Sequence, residues 1–333
     1  MLGCPRVSSQ VAPAQPEASE VAEATGRTAV GSREQSPPSQ VPAVLRSQPI
    51  ANPSSVPNPV DPAIADAEIQ VALGLVVSTP KTDPDHPDHL FRLGEAYAQK
   101  AAWIHLHPDA SSEPEADVWA ESVVALGELL GEPRWATYAR LDEGLYLSAL
   151  ANGVLGDEME MQANYQRLIQ DCPSSPLIAH AYLEFANYYY RKGKIGNAVR
   201  LYERVTRFQN DSVYAYALYR LGWCHLEAID AFDPRLDKSL EYFVAAIEAV
   251  RDGRGPSAQA GQAIELASQD DLVLAYAQFG KARKAEDFLA VYAPGRVDAL
   301  LVALARQYAV IGMVTARAVI CDVLVARGAL ACG

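Results

Sequence analysis

One stretch of the chain constrains the fold more than any other. Residues 181–205 are AYLEFANYYYRKGKIGNAVRLYERV, and on each side of Gly193 apolar residues recur at the three- and four-residue spacing of an amphipathic helix. The two sets are Tyr182, Phe185, Ala186 and Tyr189, and Ala198, Leu201, Tyr202 and Val205. The stretch therefore predicts two helices joined by a tight turn, with Ala186 and Ala198 allowing them to cross closely.

The same order of residues recurs, so the hairpin is a repeating unit. Large-small pairs such as Leu93-Gly94 and Leu221-Gly222 occupy its first helix, and glycines such as Gly156, Gly280 and Gly312 mark its turn. Further units lie at residues 90–130, 145–173, 218–246, 276–288 and 304–312, with a second helix expected at 119–130 and a turn at Asp233-Pro234. Alternating strand patterns are hard to find, so the sequence predicts an all-α chain.

In its order of large, small and aromatic residues the stretch resembles the tetratricopeptide repeat, a 34-residue helix-turn-helix unit. The family's closing proline is replaced here by Asn210. The resemblance covers residues 88–326 and implies an α-solenoid of antiparallel helix pairs, each burying its faces against its neighbours. More narrowly, phrases such as HPDHLFRLGEAYAQKA resemble tetratricopeptide lipoproteins of bacterial envelopes, of deltaproteobacterial type. For any unit alone, an ordinary helical hairpin is the alternative.

The composition differs before the first aromatic residue, Phe91. Residues 1–62 carry half of the chain's 22 prolines, with many Ser, Gln, Ala and Glu residues. Such a segment buries too little apolar surface to offset the entropy lost on ordering, so we expect a disordered tether. Residues 63–87 are interpreted as a linker and residues 88–333 as the helical repeat domain.

The chain opens with MLGC, and Leu2-Gly3-Cys4 resembles the end of a bacterial lipobox, whose cysteine is lipidated. The apolar run that belongs before a lipobox does not precede it in this sequence. Two interpretations stay open. In one, a lipid on Cys4 attaches a periplasm-facing protein to a membrane of the cell envelope. In the other, Cys4 is incidental and the protein is a cytoplasmic adaptor.

The net charge limits the partners. It is −13 at pH 7, with an isoelectric point near 4.9. Nucleic acids are bound through clustered Lys and Arg, so we expect no nucleic-acid partner. A local basic run at residues 191–207 is interrupted by Glu203, and such helix-surface charges are usually solvated. An acidic partner at this run is the alternative.

The tetratricopeptide resemblance also implies a binding groove, lined by the first helix of each unit. The matching positions are His180, Leu183, Asn187, Tyr190 and Arg191, then Tyr216, Tyr219, Trp223, Leu226 and Glu227. Tyr and Trp offer large rigid faces with a polar group, and Asn can bond a peptide backbone. We therefore expect a protein or peptide partner and no small-molecule substrate. The expected contact residues are Asn187, Tyr190, Arg191, Tyr216, Tyr219, Trp223 and Glu227. The alternative is that the aromatic side chains pack against the next repeat.

Enzyme signatures are lacking: there is no GxSxG, HExxH, phosphate loop or Rossmann fingerprint. Asp and His residues do cluster, at Asp83, Asp85, His86, Asp88, His89, His105 and His107. These types can ligate a metal, but prolines are expected to keep residues 83–88 extended, with Asp88 as the N-cap of a helix starting near His89. We therefore predict a non-catalytic scaffold without metal or cofactor; a metal-binding or enzymatic repeat protein is the remote alternative.

The chain has five cysteines, Cys4, Cys172, Cys224, Cys321 and Cys332. They form no CxxC pair and no zinc-finger spacing with histidine, so no structural metal is expected. Disulfides would be permitted in an oxidising periplasm, but nothing in the sequence supports a pairing, since helical packing buries single cysteines readily.

Overall fold

The computed structural model describes residues 57–227 and 238–329. Within them the chain forms thirteen α-helices and no strand, which confirms the all-α prediction and the pairing of neighbouring helices. The helices are α1 (Pro62–Ser78), α2 (His86–Leu106), α3 (Glu115–Gly131), α4 (Leu141–Leu155), α5 (Glu158–Asp171), α6 (Ile178–Arg191), α7 (Ile195–Val205), α8 (Tyr214–Glu227), α9 (Lys238–Arg251), α10 (Ala258–Phe279), α11 (Ala285–Tyr292), α12 (Val297–Val310) and α13 (Val314–Ala326).

Within the described residues the chain divides into two compact units, 57–185 and 186–329, and the division falls inside α6. In the first unit, each helix from α1 to α5 packs on the next. In the second, the same holds from α7 to α10, α10 also packs on α12, and α12 packs on α11 and α13. Contacts between neighbours in sequence are the arrangement of a helical-repeat array.

Side-chain contacts show that α4 and α5 run antiparallel. Nδ2 of Asn164 donates a hydrogen bond of 3.1 Å to Oγ of Ser148. Further along α4, Gly153 faces Met161, near the start of α5, and a Cβ at Gly153 would lie 3.1 Å from the Met161 sulfur. Residue numbers therefore rise along α4 while they fall along α5, as in a helical hairpin.

Two glycines let paired helices approach more closely than alanine would allow. A Cβ on Gly94 would lie 2.6 Å from Cγ of Leu126, and one on Gly222 would lie 2.6 Å from Cε1 of Phe243. Across the first of these contacts, Ser122 donates a hydrogen bond of 2.7 Å to the Gly94 carbonyl. The small position of the repeating pattern thus has the packing role that the sequence analysis gave it.

Three of the predicted turn glycines have the left-handed backbone that favours glycine. The φ angles of Gly156, Gly193 and Gly312 are 82°, 70° and 74°. Each follows a helix end, where a left-handed residue lets later N–H groups bond the last carbonyls. Gly280 differs, with φ −76°, because the chain leaves α10 in an extended conformation before the 3₁₀ segment Ala282–Lys284.

Helix α1 occupies most of the segment that the sequence analysis interpreted as a linker. The side chain of Asp61 caps it through a 3.0 Å bond from the Ala63 amide, and Pro62 takes the first position. Its buried residues include Ile69, which joins a cluster with Leu93 of α2 and Ala125 of α3. The helix is apolar on nearly every side, so its period could not be recognised in the sequence.

The start of α2 corrects two expectations. The helix begins at His86, so residues 83–88 are not extended throughout, and Pro87 lies in the first turn, where its missing N–H is tolerated. Asp88 is not an N-cap but a first-turn residue whose Oδ1 accepts a 2.6 Å hydrogen bond from the Tyr138 hydroxyl. The predicted tether before residue 57, Cys4 and the Asp233-Pro234 turn lie outside the described residues.

Candidate functional site

The seven predicted contact residues lie on α6 and α8, and four of them are in the interior of the free chain. Asn187 is 4 % exposed, and Tyr216, Tyr219 and Trp223 are each 5 % exposed; Tyr190 and Glu227 are half-buried and Arg191 is exposed. A partner that docks on this surface would touch little of the four buried side chains. Their role as contacts stays a prediction, and the exposed part of the site is formed by the other three.

Three buried polar groups connect α8 to α10. The Tyr219 hydroxyl and Nε1 of Trp223 each donate a hydrogen bond of 2.8 Å to Oδ2 of Asp271, and this indole nitrogen also lies 2.9 Å from the Tyr219 oxygen. Asp271 is fully buried, and both aromatic rings pack on Phe243, with centroids 5.9 and 6.3 Å away. Tyr219 and Trp223 thus satisfy a buried acid.

Asp271 was missed in the sequence because it stands beside Asp270, in a pair typical of a solvated helix face. A signal was nevertheless present. Counting along α10, Ile264, Ala267 and Leu274 fall on the same face as Asp271 at three- and four-residue spacing, and all four are buried. An acid on the apolar face of a helix requires hydrogen-bond donors from a neighbouring helix.

A second polar chain joins α6, α7 and α8. The Tyr202 hydroxyl donates a 2.6 Å hydrogen bond to Oδ1 of Asn187 and accepts one of 3.1 Å from Nε of Arg220. Tyr202 is fully buried, and burial raises the pKa of its hydroxyl, so the proton that it donates is retained near neutral pH. Asn187, predicted to bond a partner's backbone, here accepts a bond from its own chain.

Tyr190 lies between a cation and an acid of α8. The guanidinium carbon of Arg220 is 3.9 Å from the centre of its ring, a cation-π contact, and its hydroxyl hydrogen-bonds to Glu227. Burial and the Glu227 carboxylate raise the pKa of the Tyr190 hydroxyl, which stays protonated. Arg220 was not singled out in the sequence, because its aromatic neighbours come from other helices.

The first unit contains an open groove between α1 and α2, of about 580 Å³, which we call the α1–α2 groove. Its lining is Ile64, Ala67, Glu68, Val71, Ala72 and Leu75 from α1, and Arg92, Glu95, Ala96 and Gln99 from α2. Ile64 and Val71 are 58 % and 65 % exposed, so the outer face of α1 is apolar and open to solvent. A second groove, of about 420 Å³, lies beside Phe91 and Tyr146.

The Asp/His cluster does not form one site. His86 is buried, with Nδ1 2.9 Å from the Thr79 carbonyl and its ring stacked on Trp135 at 5.5 Å. His105 lies at the other end of α2, where Nδ1 is 3.1 Å from a Glu115 oxygen. In the parts of the chain that are described, no three His, Cys, Asp or Glu residues are arranged to hold a metal ion.

The structure describes three of the five cysteines, and two of them are paired, although nothing in the sequence supported a pairing. Cys172 and Cys321 are each disulfide-bonded. Cys224 is a free thiol, fully buried on α8, and burial raises its pKa to about 12. Cys4 and Cys332 lie outside the described residues.

Among the helices that the structure describes, none is by itself both long and apolar enough to cross a membrane. One pair, Ala282–Tyr292 with Pro294–Val310, passes on length and composition when its two parts are taken together, and it is bent by 120° at the break.

No protein-family model matches this chain, and none of the curated proteins does. The resemblance to tetratricopeptide repeats therefore depends on the order of residues and on its agreement with the observed helix pairs and glycine turns.

Proposed function

We propose that this protein is a non-catalytic scaffold whose tetratricopeptide-like helix pairs dock a protein or peptide partner in the bacterial cell envelope. The observation that carries the proposal is the apolar outer face of α1, which lies open at the α1–α2 groove. The paired helices and left-handed glycine turns support the repeat assignment.

Helix α1 carries apolar residues on two different sides. One side, with Ala65, Ile69 and Ala72, is buried, whereas Ile64 and Val71 on the other side are exposed. An exposed apolar patch marks an interaction surface. The outer face of α1 is therefore suited to the apolar side chains of a partner.

The rim of the α1–α2 groove is charged. Its lining includes Glu68 from α1 and Arg92 and Glu95 from α2 beside the apolar side chains. An apolar centre with a polar rim is the usual composition of a protein interface, in which the rim orients the partner. A peptide or partner helix with apolar side chains on one face fits this lining better than a small polar metabolite.

The disulfide-bonded states of Cys172 and Cys321 support the envelope location, because disulfides persist in oxidising compartments and are rare in the cytosol. Attachment through a lipid on Cys4 is part of the same proposal. Mass spectrometry of the N-terminal peptide from the native protein tests it. An unmodified Cys4, together with reduced Cys172 and Cys321, would favour the cytoplasmic adaptor instead.

The docking proposal is tested with a matched pair of substitutions, Val71→Glu and Val124→Glu. Val71 lines the α1–α2 groove and Val124 lies on α3 away from it, and their exposures are similar, 65 % and 68 %. Both variants should keep the helical content measured by circular dichroism. In affinity purification from the native host, quantified by mass spectrometry, Val71→Glu should lose partners that the wild type and Val124→Glu retain. Equal recovery by all three would refute docking at this groove.

A further inference from the structure

The second unit contains a half-buried arginine that is held rigidly by aromatic side chains. Nε of Arg220 donates to the buried Tyr202 hydroxyl, and its guanidinium lies against the Tyr190 ring, 3.9 Å from the ring centre to Cζ. Tyr202 is itself fixed by its bond to Asn187. One edge and one face of the guanidinium are therefore fixed by the fold, at the junction of α6, α7 and α8.

Within the described part of the chain, Arg220 has no paired carboxylate, unlike comparable arginines. Arg140, Arg167 and Arg296 are also half-buried, and each is paired with an acid, Glu143 at 2.7 Å, Asp171 at 3.3 Å and Asp270 at 2.5 Å. Within residues 57–227 and 238–329, Arg220 makes no ion pair, and its two Nη groups make no hydrogen bond. Glu227, the acid of the same helix, is engaged by the Tyr190 hydroxyl.

The two Nη groups of Arg220 reach the surface of their unit. The residue is half-buried, and neither Nη nitrogen is among the unbonded polar atoms that the fold seals from solvent, whereas Nδ2 of the neighbouring Asn187 is. A partly desolvated arginine whose terminal nitrogens have no acceptor within the described chain is suited to binding an anion. The paired ends of a guanidinium match the two oxygens of a carboxylate, which they bind through parallel hydrogen bonds.

We propose that Arg220 binds a carboxylate of the protein partner, from an Asp, a Glu or the C-terminal residue. The inference rests on the proposed protein-binding function and gives it a chemical specificity on the second unit. Stacking on Tyr190 and the bond to Tyr202 hold the guanidinium in its binding orientation, so little conformational entropy is lost when the carboxylate arrives. Because the chain has a net charge of −13, it repels a polyanion, so this single cation is suited to one isolated carboxylate.

The first experiment measures carboxylate binding directly, with acetate as the probe and the full chain. The Nε–Hε signal of Arg220 in the nitrogen-proton NMR spectrum is identified by its loss in Arg220→Lys. It should shift saturably with sodium acetate but not with sodium chloride at equal ionic strength, while the signal of the paired Arg140 stays in place. An equal response to both salts, or none, overturns the proposal. A response to inorganic phosphate at lower concentration than acetate overturns the choice of carboxylate. If Arg220→Lys fails to fold, Arg220→Gln identifies the signal in the same way, and the wild-type titration is then read as before.

The second experiment identifies the source of the carboxylate. Partners recovered with the wild-type protein should bind Arg220→Lys at least about tenfold more weakly, because lysine cannot bind both oxygens in the same plane. Undiminished binding to a folded Arg220→Lys protein overturns this inference and leaves the proposed scaffold function intact. An acetate response without any specific protein partner contradicts the scaffold function and the protein source together, and would assign Arg220 to a small carboxylic acid.

Discussion

Nε1 of Trp223 lies 2.8 Å from Oδ2 of Asp271, and the two residues are 48 positions apart on different helices. Both are buried, so the indole serves as an internal hydrogen-bond donor and joins α8 to α10. Trp223 and Tyr219, which the sequence analysis assigned to a binding groove, are therefore part of the interior. This relationship leads to the first of four predictions.

Trp223→Phe should lower the free energy of unfolding by about 1–3 kcal/mol, because it keeps an aromatic ring against Phe243 but removes one donor to a buried acid. Urea titration followed by circular dichroism measures the change. The control is Trp103→Phe, since the Trp103 indole nitrogen makes no hydrogen bond within the described chain. An equal loss in both variants would mean that ring volume, and not the bond to Asp271, is what matters.

Two glycine substitutions should have opposite effects. Gly222→Ala places a Cβ 2.6 Å from the buried Phe243 ring and should destabilise the chain by about 1–3 kcal/mol. Gly127→Ala, in the exposed middle of α3 with no atom within 4 Å of the new Cβ, should stabilise it by about 0.5–1 kcal/mol. Thermal unfolding of the two variants beside the wild type gives the signs. A neutral Gly222→Ala would show that α8 and α9 can separate at no cost.

Lys100 of α2 forms ion pairs with two acids, Asp66 and Glu113. Replacing Lys100 should destabilise the protein less than replacing both acids. The Lys100 side chain is 8 % exposed and pairs with Asp66 at 2.7 Å and Glu113 at 2.5 Å, whereas those acids are 55 % and 46 % exposed. Lys100→Met leaves acids that water can solvate, but the double variant Asp66→Asn, Glu113→Gln leaves a buried unpaired charge. We expect the free energy of unfolding of the double variant to be about 3 kcal/mol below that of the wild type, and Lys100→Met to lose less.

The pH dependence of that double variant checks the cause. Burial acts to lower the Lys100 pKa, and in the wild type the bonds to Asp66 and Glu113 outweigh it, so the folded pKa is raised above the ordinary 10.5. Without the acids, burial should depress the folded pKa below the unfolded value. The unfolded state then binds more protons, so the stability of the double variant should rise as pH increases toward 10.5. A flat profile from pH 7 to 10 would show that the amine reaches solvent instead.

Thiol labelling should separate the three described cysteines. The buried Cys224, with its pKa near 12, should not react with iodoacetamide at pH 8 until the chain unfolds. Cys172 and Cys321 should react only after reduction, even in denaturant, because both are disulfide-bonded. Peptide mass spectrometry of samples labelled before and after reduction provides the measurement. Labelling of Cys172 without reductant, in protein taken from its native compartment, would contradict the structure at that residue.

Much of the helical framework could be predicted from the sequence. The helices that contain Tyr189 and Ala198 and the left-handed turns at Gly156 and Gly193 were recognised from spacing alone, because helical period and backbone conformation are local properties. Helix α1 was not, since its apolar residues occur on most sides of the helix and show no clear period. The second unit's start inside α6 also has no local signal, because it depends on contacts between distant residues.

The sequence by itself determined that the chain is a series of helix pairs, and that small residues such as Gly94 and Gly222 mark where the pairs approach. Which aromatic faces are covered was decided only by the tertiary structure. A helical period assigns Tyr219 and Trp223 to one face, but whether that face meets solvent or the carboxyl group of Asp271 depends on α10, far along the chain. The same is true of Arg220. Its guanidinium is oriented by Tyr202 and Tyr190, and only the folded chain brings these neighbours together and leaves it, among the described residues, without a paired acid.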